Sequence, residues 1–523
     1  MDRSRRGRLT ATAQRRKGGS AVADQRTEEM GYERLGQARL SLVDVLAQSV
    51  GFMGPVFSAA FIIPLIIGVN FAARGAGTSA VTAVLLAAVG VFAIGWIVAQ
   101  YARRIHAAGS LYDYVSEGLG KTFGAAGGWL YYAGTIILTV GLGVLLGGFI
   151  KDSLLTAFEI DLDLPIWVWD VVVAALLLAV LYLGVQISTR VQLALAMISI
   201  AVVLIFFVTV ISKLGDANDF AKVVDPSPDG GFSGILFGVL YGVLIFVGFE
   251  TAANLAEETA EPERSIPRAV LGAVVLVSIF YVIAAYVEVA GFGFDLAVIT
   301  SPEVAGAPLF ALGAPGGEFG SEFWLKTLIL VVFLDMLAVY VGAGVASTRG
   351  MFAMARDRRL PAPLATVSGR FGTPAGAIAL LIVIQALLIV ASESTEIFAL
   401  EGFPHYFALF AWCSTFGGFA LLVVYLLMSI GALATIGRQP KPAGVAVAAV
   451  LGIAITAAAI WGSFYKVPTP TVWAPRYALI WFVIGLIYMV IVKGREPASQ
   501  VLGDLHEQGS ATADRGAQTG IHD

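Results

Sequence analysis

Charge is scarce in this chain. Of its 523 residues, 13% are Asp, Glu, Lys or Arg, about half the ~25% of a soluble domain. Hydrophobic residues make up 58% and the mean hydropathy is +0.83. One water-soluble core cannot use that much apolar surface, which argues against a cytosolic globular enzyme. The single cysteine, Cys413, excludes an intramolecular disulfide and a cysteine-rich metal cluster. The four histidines, His106, His405, His506 and His522, lie far apart with no metal-type spacing. There is no Gly-x-x-x-x-Gly-Lys-Ser/Thr loop, which disfavours an ATP-driven pump. No His, Asp or Cys cluster points to catalysis, so we expect neither enzymatic activity nor a cofactor. The net charge of −4 gives no reason to expect a nucleic-acid partner.

What the chain does have is long apolar runs. They lie near 41–68, 78–101, 124–150, 166–187, 190–212, 233–256, 267–292, 323–350, 374–392, 404–430, 442–462 and 474–493. Each has roughly the 17–25 residues that cross ~30 Å of hydrocarbon as a helix. Their apolar character is continuous, whereas a barrel strand would alternate. We therefore expect twelve transmembrane helices, numbered here as spans 1 to 12, in contact with membrane lipids. Only Gln186 to Arg190 interrupt spans 4 and 5. Residues 1–40 read as a basic, disordered tail, with ten Lys or Arg and no signal-peptide pattern. Residues 494–523 read as a second polar tail.

The basic residues set the orientation. With the N-terminus inside, cytoplasmic segments hold 26 Lys and Arg against seven outside, and still 14 to seven without the tails. The positive-inside rule thus places both termini in the cytoplasm. The plainest reading of the basic loops is topology alone. Trp167, Trp169, Trp324 and Trp473, near span ends, fit interfacial anchors.

Backbone that leaves the helix inside a bilayer is tolerated only where it is buried in protein or lines a cavity. Span 1 contains Gly51-Phe52-Met53-Gly54-Pro55. Pro55 has no N–H for the carbonyl of Gly51, so the helix unwinds there or takes a simple proline kink. Span 6 contains Phe246-Val247-Gly248-Phe249-Glu250-Thr251. A carboxylate such as Glu250 in a membrane helix is costly and points to function, including bracing of an unwound segment; the alternative is an acid at the cytoplasmic end paired with the basic loop. Breaks at corresponding places in two halves mark the binding site of many transporters. If spans 1–5 and 6–10 are the halves, an odd number of helices inverts the second. Each break makes a helix N-terminus suited to a carboxylate and free carbonyls suited to a cation, which together match a zwitterion.

These residues also carry a family resemblance. Phe246 to Ala269, FVGFETAANLAEETAEPERSIPRA, resembles helix 6 and the following loop of the amino acid–polyamine–organocation (APC) permeases. Ala108-Gly109-Ser110-Leu111-Tyr112-Asp113-Tyr114-Val115 resembles the loop into helix 3. Arg349, Ala353-Met354-Ala355-Arg356-Asp357 and Leu360-Pro361 resemble the loop after helix 8, and Thr373-Pro374 opens span 9 as in the family. The resemblance covers roughly 41–493. It implies an all-α membrane protein of the LeuT-type fold: a 5+5 inverted repeat, helices 1–5 over 41–213 and 6–10 over 233–430, plus two peripheral helices over 441–493.

It also implies secondary transport by alternating access. By the resemblance, Gly51, Phe52, Met53 and Gly54 receive the substrate carboxylate. Phe246, Val247, Gly248, Phe249 and Glu250 line the amine and side-chain region, with Phe249 as a gate. The family's helix 1 often has a Gly-Ser-Gly core; this chain has Phe-Met-Gly-Pro.

For coupling, some members place a lysine in helix 5, where its amine substitutes for sodium. Span 5, Arg190 to Ser212, has none, and Met197, Ile198 and Ser199 lie near the comparable depth. Ser347 and Thr348 sit where sodium-coupled relatives carry paired hydroxyls; close helix packing is the alternative. Asp335 reads either as a proton carrier or as a residue near the outer boundary. Trp129, Tyr131 and Tyr132 read as packing residues, and Gly141, Gly143, Gly147 and Gly148 as sites of close helix approach.

The expectation is therefore a cell-membrane secondary transporter of an amino acid or related amine. It would be coupled to H⁺ or Na⁺ or work by exchange. The alternatives are a polyamine or organic-amine transporter and a transporter-like sensor.

Overall fold

A computed structural model describes residues 40–68, 75–224, 231–301, 303–304, 307–399, 404–438, 441–464, 469–470 and 472–492. Both expected tails otherwise lie outside the described residues. All twelve spans are present as helices long and apolar enough to cross a membrane.

Most boundaries fall within a few residues of the apolar runs, and the departures have local causes. Span 1 starts at Leu42, where the Ser41 side chain accepts from the Asp44 N–H and the Asp44 carboxylate accepts from the Ser41 N–H. This reciprocal cap satisfies two otherwise free donors. Spans 4 and 5 are separated by the single residue Gly184, since helices run Ile166–Leu183 and Val185–Leu214. Spans 3 and 8 overrun their apolar runs and reach 35 residues each, Lys121–Leu155 and Glu322–Arg356. Span 3 ends in a π-helical stretch, Ile150–Leu155.

Burial repeats with a period of five spans. Spans 1 and 6, and 3 and 8, are mostly buried; 2 and 7 are intermediate; 4 and 9 present most of their surface outward. Packing repeats likewise. Span 3 packs on span 10 as span 8 packs on span 5, and span 2 packs on span 6 as span 7 packs on span 1. Span 10 is more buried than span 5 because spans 11 and 12 cover it. Span 12 also packs on span 3, where Trp129 stacks on Trp481 with ring centroids 4.7 Å apart.

The glycines of span 3 permit its close contacts. A Cβ on Gly141 would stand 2.6 Å from the Cβ of Cys413 on span 10, and Gly148 lies against the Tyr406 ring. Small residues let membrane helices approach in this way.

Candidate functional site

Both expected breaks are present. In span 1 the helix Leu42–Met53 stops at Gly54 and a second helix, Pro55–Phe61, begins. Gly54 has φ +56°, which a residue with a Cβ adopts only with strain. In span 6 the helix Gly231–Leu244 gives way to turns, and a 3₁₀ segment, Phe249–Glu258, follows. Gly248, at φ +109°, marks this break, and a Cβ there would lie 2.7 Å from Cγ of Phe52. The two breaks therefore touch. Ser49 of span 1 joins them, donating to the Phe249 carbonyl at 2.7 Å and accepting from the Ala252 N–H at 3.2 Å.

The chain's own side chains serve several of the peptide groups freed at the breaks. Asp335 Oδ2 on span 8 accepts from the N–H groups of Val56 at 2.9 Å and Phe57 at 2.8 Å. Tyr281 of span 7 places its hydroxyl 2.6 Å from the Ile245 carbonyl and 3.3 Å from that of Met53, bridging both breaks. The Ser58 hydroxyl also donates to Met53 O at 3.2 Å. Asp335 is fully buried.

Glu250 braces three spans. Its carboxylate accepts from the Tyr131 hydroxyl of span 3 at 2.8 Å and the Tyr425 hydroxyl of span 10 at 2.7 Å. Tyr131 thus does more than pack. Tyr132 donates to Gly109 O at 2.7 Å.

A cavity of about 200 Å³ lies on the side of the breaks away from the start of span 1. Phe52, Met53, Phe57 and Phe61 line it from span 1, Tyr241 and Val247 from span 6, and Phe407 to Phe419 positions from span 10. Of the expected binding residues, Phe52, Met53 and Val247 reach the cavity wall. Gly51 instead backs onto Gln192, and Phe246 meets Tyr281 edge-on at 5.2 Å. Phe249 is buried against Tyr425, with ring centroids 5.5 Å apart. Gly54, Gly248 and Glu250 shape the site from behind.

The opposite face of the breaks is sealed by the motifs that carry the resemblance. Arg356 makes a two-pronged pair with Glu257, at 2.9 and 2.7 Å, and the Ala108 N–H donates to the same carboxylate at 3.0 Å. Arg349 Nε donates to Glu258 at 2.8 Å, with both side chains almost fully buried. Tyr112 donates to Asp357 at 3.1 Å, and burial, then the Asp357 charge, pushes the Tyr112 hydroxyl well above its usual range. It therefore stays a proton donor at neutral pH. Leu40 pairs with Thr259 as a short bridge, closing the start of span 1 onto this cluster. Topology alone therefore does not account for Arg349 and Arg356.

Where spans 1, 5 and 8 meet, Gln192 Nε2 donates to Gln48 Oε1 at 3.1 Å and Gln48 Nε2 to Gly342 O at 3.0 Å. Gln192 of span 5 thus reaches span 1, whereas of the three residues near the depth of the family's lysine Met197 and Ile198 face outward and Ser199 is buried, donating to Leu195 O at 2.8 Å. A polar residue inside an apolar run was the signal available. Ser347 and Thr348 are buried and donate to Gly344 O at 3.2 and 2.7 Å. Both bonds run back within span 8, as serine and threonine hydroxyls in membrane helices commonly do. Tyr281 and Tyr425 carried no sequence signal.

A sequence profile of the amino acid permease family matches residues 50–498. An uncharacterized transporter of Mycobacterium tuberculosis is 27% identical over 405 residues, 76% of this chain and 80% of that protein. The branched-chain amino acid permease BcaP of Lactococcus lactis is 24% identical over 295 residues, 54% of this chain and 57% of its own. Cationic amino acid transporter 6, chloroplastic, of Arabidopsis thaliana is 26% identical over 195 residues, 36% and 32% of the two chains.

Proposed function

The chain belongs to the amino acid permease family, and from that premise we propose that it is a secondary active transporter of an amino acid or related amine. It works by alternating access across the cytoplasmic membrane. Family and relatives alike indicate a transporter rather than an enzyme, and the twelve spans make it a multi-pass membrane protein.

One observation carries the mechanism. The breaks of spans 1 and 6 meet between a cavity on one side and a buried ion-paired seal on the other. With the N-terminus in the cytoplasm, the seal is cytoplasmic and the arrangement faces outward. Opening the seal while the cavity closes would deliver the solute inside. The half-spans are suited to this, since a break lets each half tilt without bending a continuous helix.

In this reading, spans 1–5 and 6–10 are inverted halves. Gly51 to Gly54 and Phe246 to Glu250 form the central crossing, and the solute rests against its Phe52, Met53 and Val247. Ser347 and Thr348 supply sodium ligands if transport is sodium-coupled; Asp335 is the acid available to a proton-coupled cycle.

Uptake of labelled amino acids and amines into proteoliposomes, with imposed proton or sodium gradients and with solute preloaded for exchange, tests the reading. Accumulation under one of these conditions is expected. Ligand binding without accumulation under any of them would instead identify a transporter-like sensor.

A further inference from the structure

We propose that the solute is a monoamine with an apolar body and no carboxylate, because Asp335 already supplies the carboxylate at the break in span 1. The inference rests on the transport reading above and narrows its substrate class.

The first turn of the second half of span 1 has no donor to spare. Pro55 has no N–H. Val56 and Phe57 give theirs to Asp335 Oδ2. Ser58 gives its N–H to Gly54 O at 2.8 Å. An α-carboxylate arriving there would find the N–H groups taken and a like charge in their place. In a low-dielectric interior that repulsion is severe. The lining of the cavity has no Lys or Arg to receive a carboxylate elsewhere.

An ammonium meets the opposite situation. Asp335 Oδ1 is fully buried and has no hydrogen-bond partner. No ion pair to Asp335 occurs among the described residues. A buried carboxylate oxygen left bare is costly, and a charged donor relieves that cost. Asp335 lies behind the cavity wall rather than on it: Phe57, whose N–H bonds to it, and Val339, one turn along span 8, line the wall. The Phe52, Phe57, Phe61 and Phe410 rings among the lining suit the rest of such a solute, and aromatic faces attract an ammonium. One acid behind an otherwise uncharged wall also limits the solute to one positive charge. A diamine would bury its second ammonium unpaired.

The test uses the full-length protein, purified and reconstituted. Binding and uptake are compared for 2-phenylethylamine against phenylalanine and for 3-methylbutylamine against leucine, with putrescine and 2-phenylethanol as competitors. The monoamines should bind at least about tenfold tighter than the parent amino acids, a difference of about 1.4 kcal/mol. Neither putrescine nor the uncharged alcohol should compete. Asp335→Asn keeps an oxygen for the Val56 and Phe57 N–H groups and removes the charge. It should weaken monoamine binding by at least about tenfold while its melting temperature stays close to the wild type.

Tighter binding of the amino acids would overturn the inference and leave the transport reading intact. Equal competition by 2-phenylethanol, or unchanged monoamine affinity in a folded Asp335→Asn protein, would overturn it too. Should that variant not fold, the wild-type ligand series decides alone. No accumulation of any of these solutes, or of any amino acid, would remove the transport reading itself and this inference with it.

Discussion

Glu250 shows how a single residue ties three spans together. Its two oxygens each take one tyrosine hydroxyl, from spans 3 and 10. In Glu250→Gln one oxygen becomes an NH₂ group, so one tyrosine hydroxyl loses its acceptor. A buried polar group left unpaired costs about 1–3 kcal/mol. The variant should insert normally, melt at a lower temperature and transport more slowly. A thiol-reactive dye can report the melting, because Cys413 is buried and is the single cysteine. Uptake kinetics equal to wild type would show that the brace is not used in the cycle. Glu250 was legible as an acid in an apolar run. Its tyrosine partners were not, because they lie 119 and 175 residues away.

At the same scale, Arg356→Ala should open the seal. Removing one partner of a buried pair costs about 3–5 kcal/mol because the other charge stays behind. Here that charge is Glu257, which would lose both prongs of the guanidinium. A cysteine placed at Ala353 should then react faster with a membrane-impermeant maleimide added from the N-terminal side. An unchanged labelling rate would show that other contacts hold the seal.

At the scale of elements, the breaks decide the architecture of the site. Gly54 links the two halves of span 1 in a left-handed conformation, and a Cβ there would run into Val339. Left-handed backbone costs a residue with a Cβ roughly 1–2 kcal/mol, and the contact adds to it. Gly54→Ala should therefore lower the melting temperature and reduce uptake together, measured in the same preparation. A melting temperature unchanged from wild type would mean that the break shifts to another residue. Both breaks could be read from glycine and proline inside apolar runs, since those residues disturb helices through local geometry. What occupies the breaks could not. Asp335 and Tyr281 belong to other spans, and only packing brings them to Met53, Val56 and Phe57.

At the scale of the molecule, coupling is the property to measure. If Ser347 and Thr348 hold sodium, uptake should fall when sodium is replaced by choline, and Ser347→Ala should abolish that dependence. A wild type indifferent to sodium would end the sodium reading and direct attention to proton gradients and exchange. The glutamine pair Gln48 and Gln192, with the Gly342 carbonyl, joins spans 1, 5 and 8 through side chains of the chain itself.

The twelve helices and their approximate ends were fixed by composition, because a bilayer admits few ways to bury a backbone and continuous apolar runs of this length admit one. The two interruptions were fixed by local backbone chemistry. Tertiary structure alone decided which loop charges are buried, as with Arg349 and Glu258, and which peptide groups remain for a solute. Those outcomes depend on distances between residues remote in the chain, and apolar periodicity carries no information about which polar side chain will meet which.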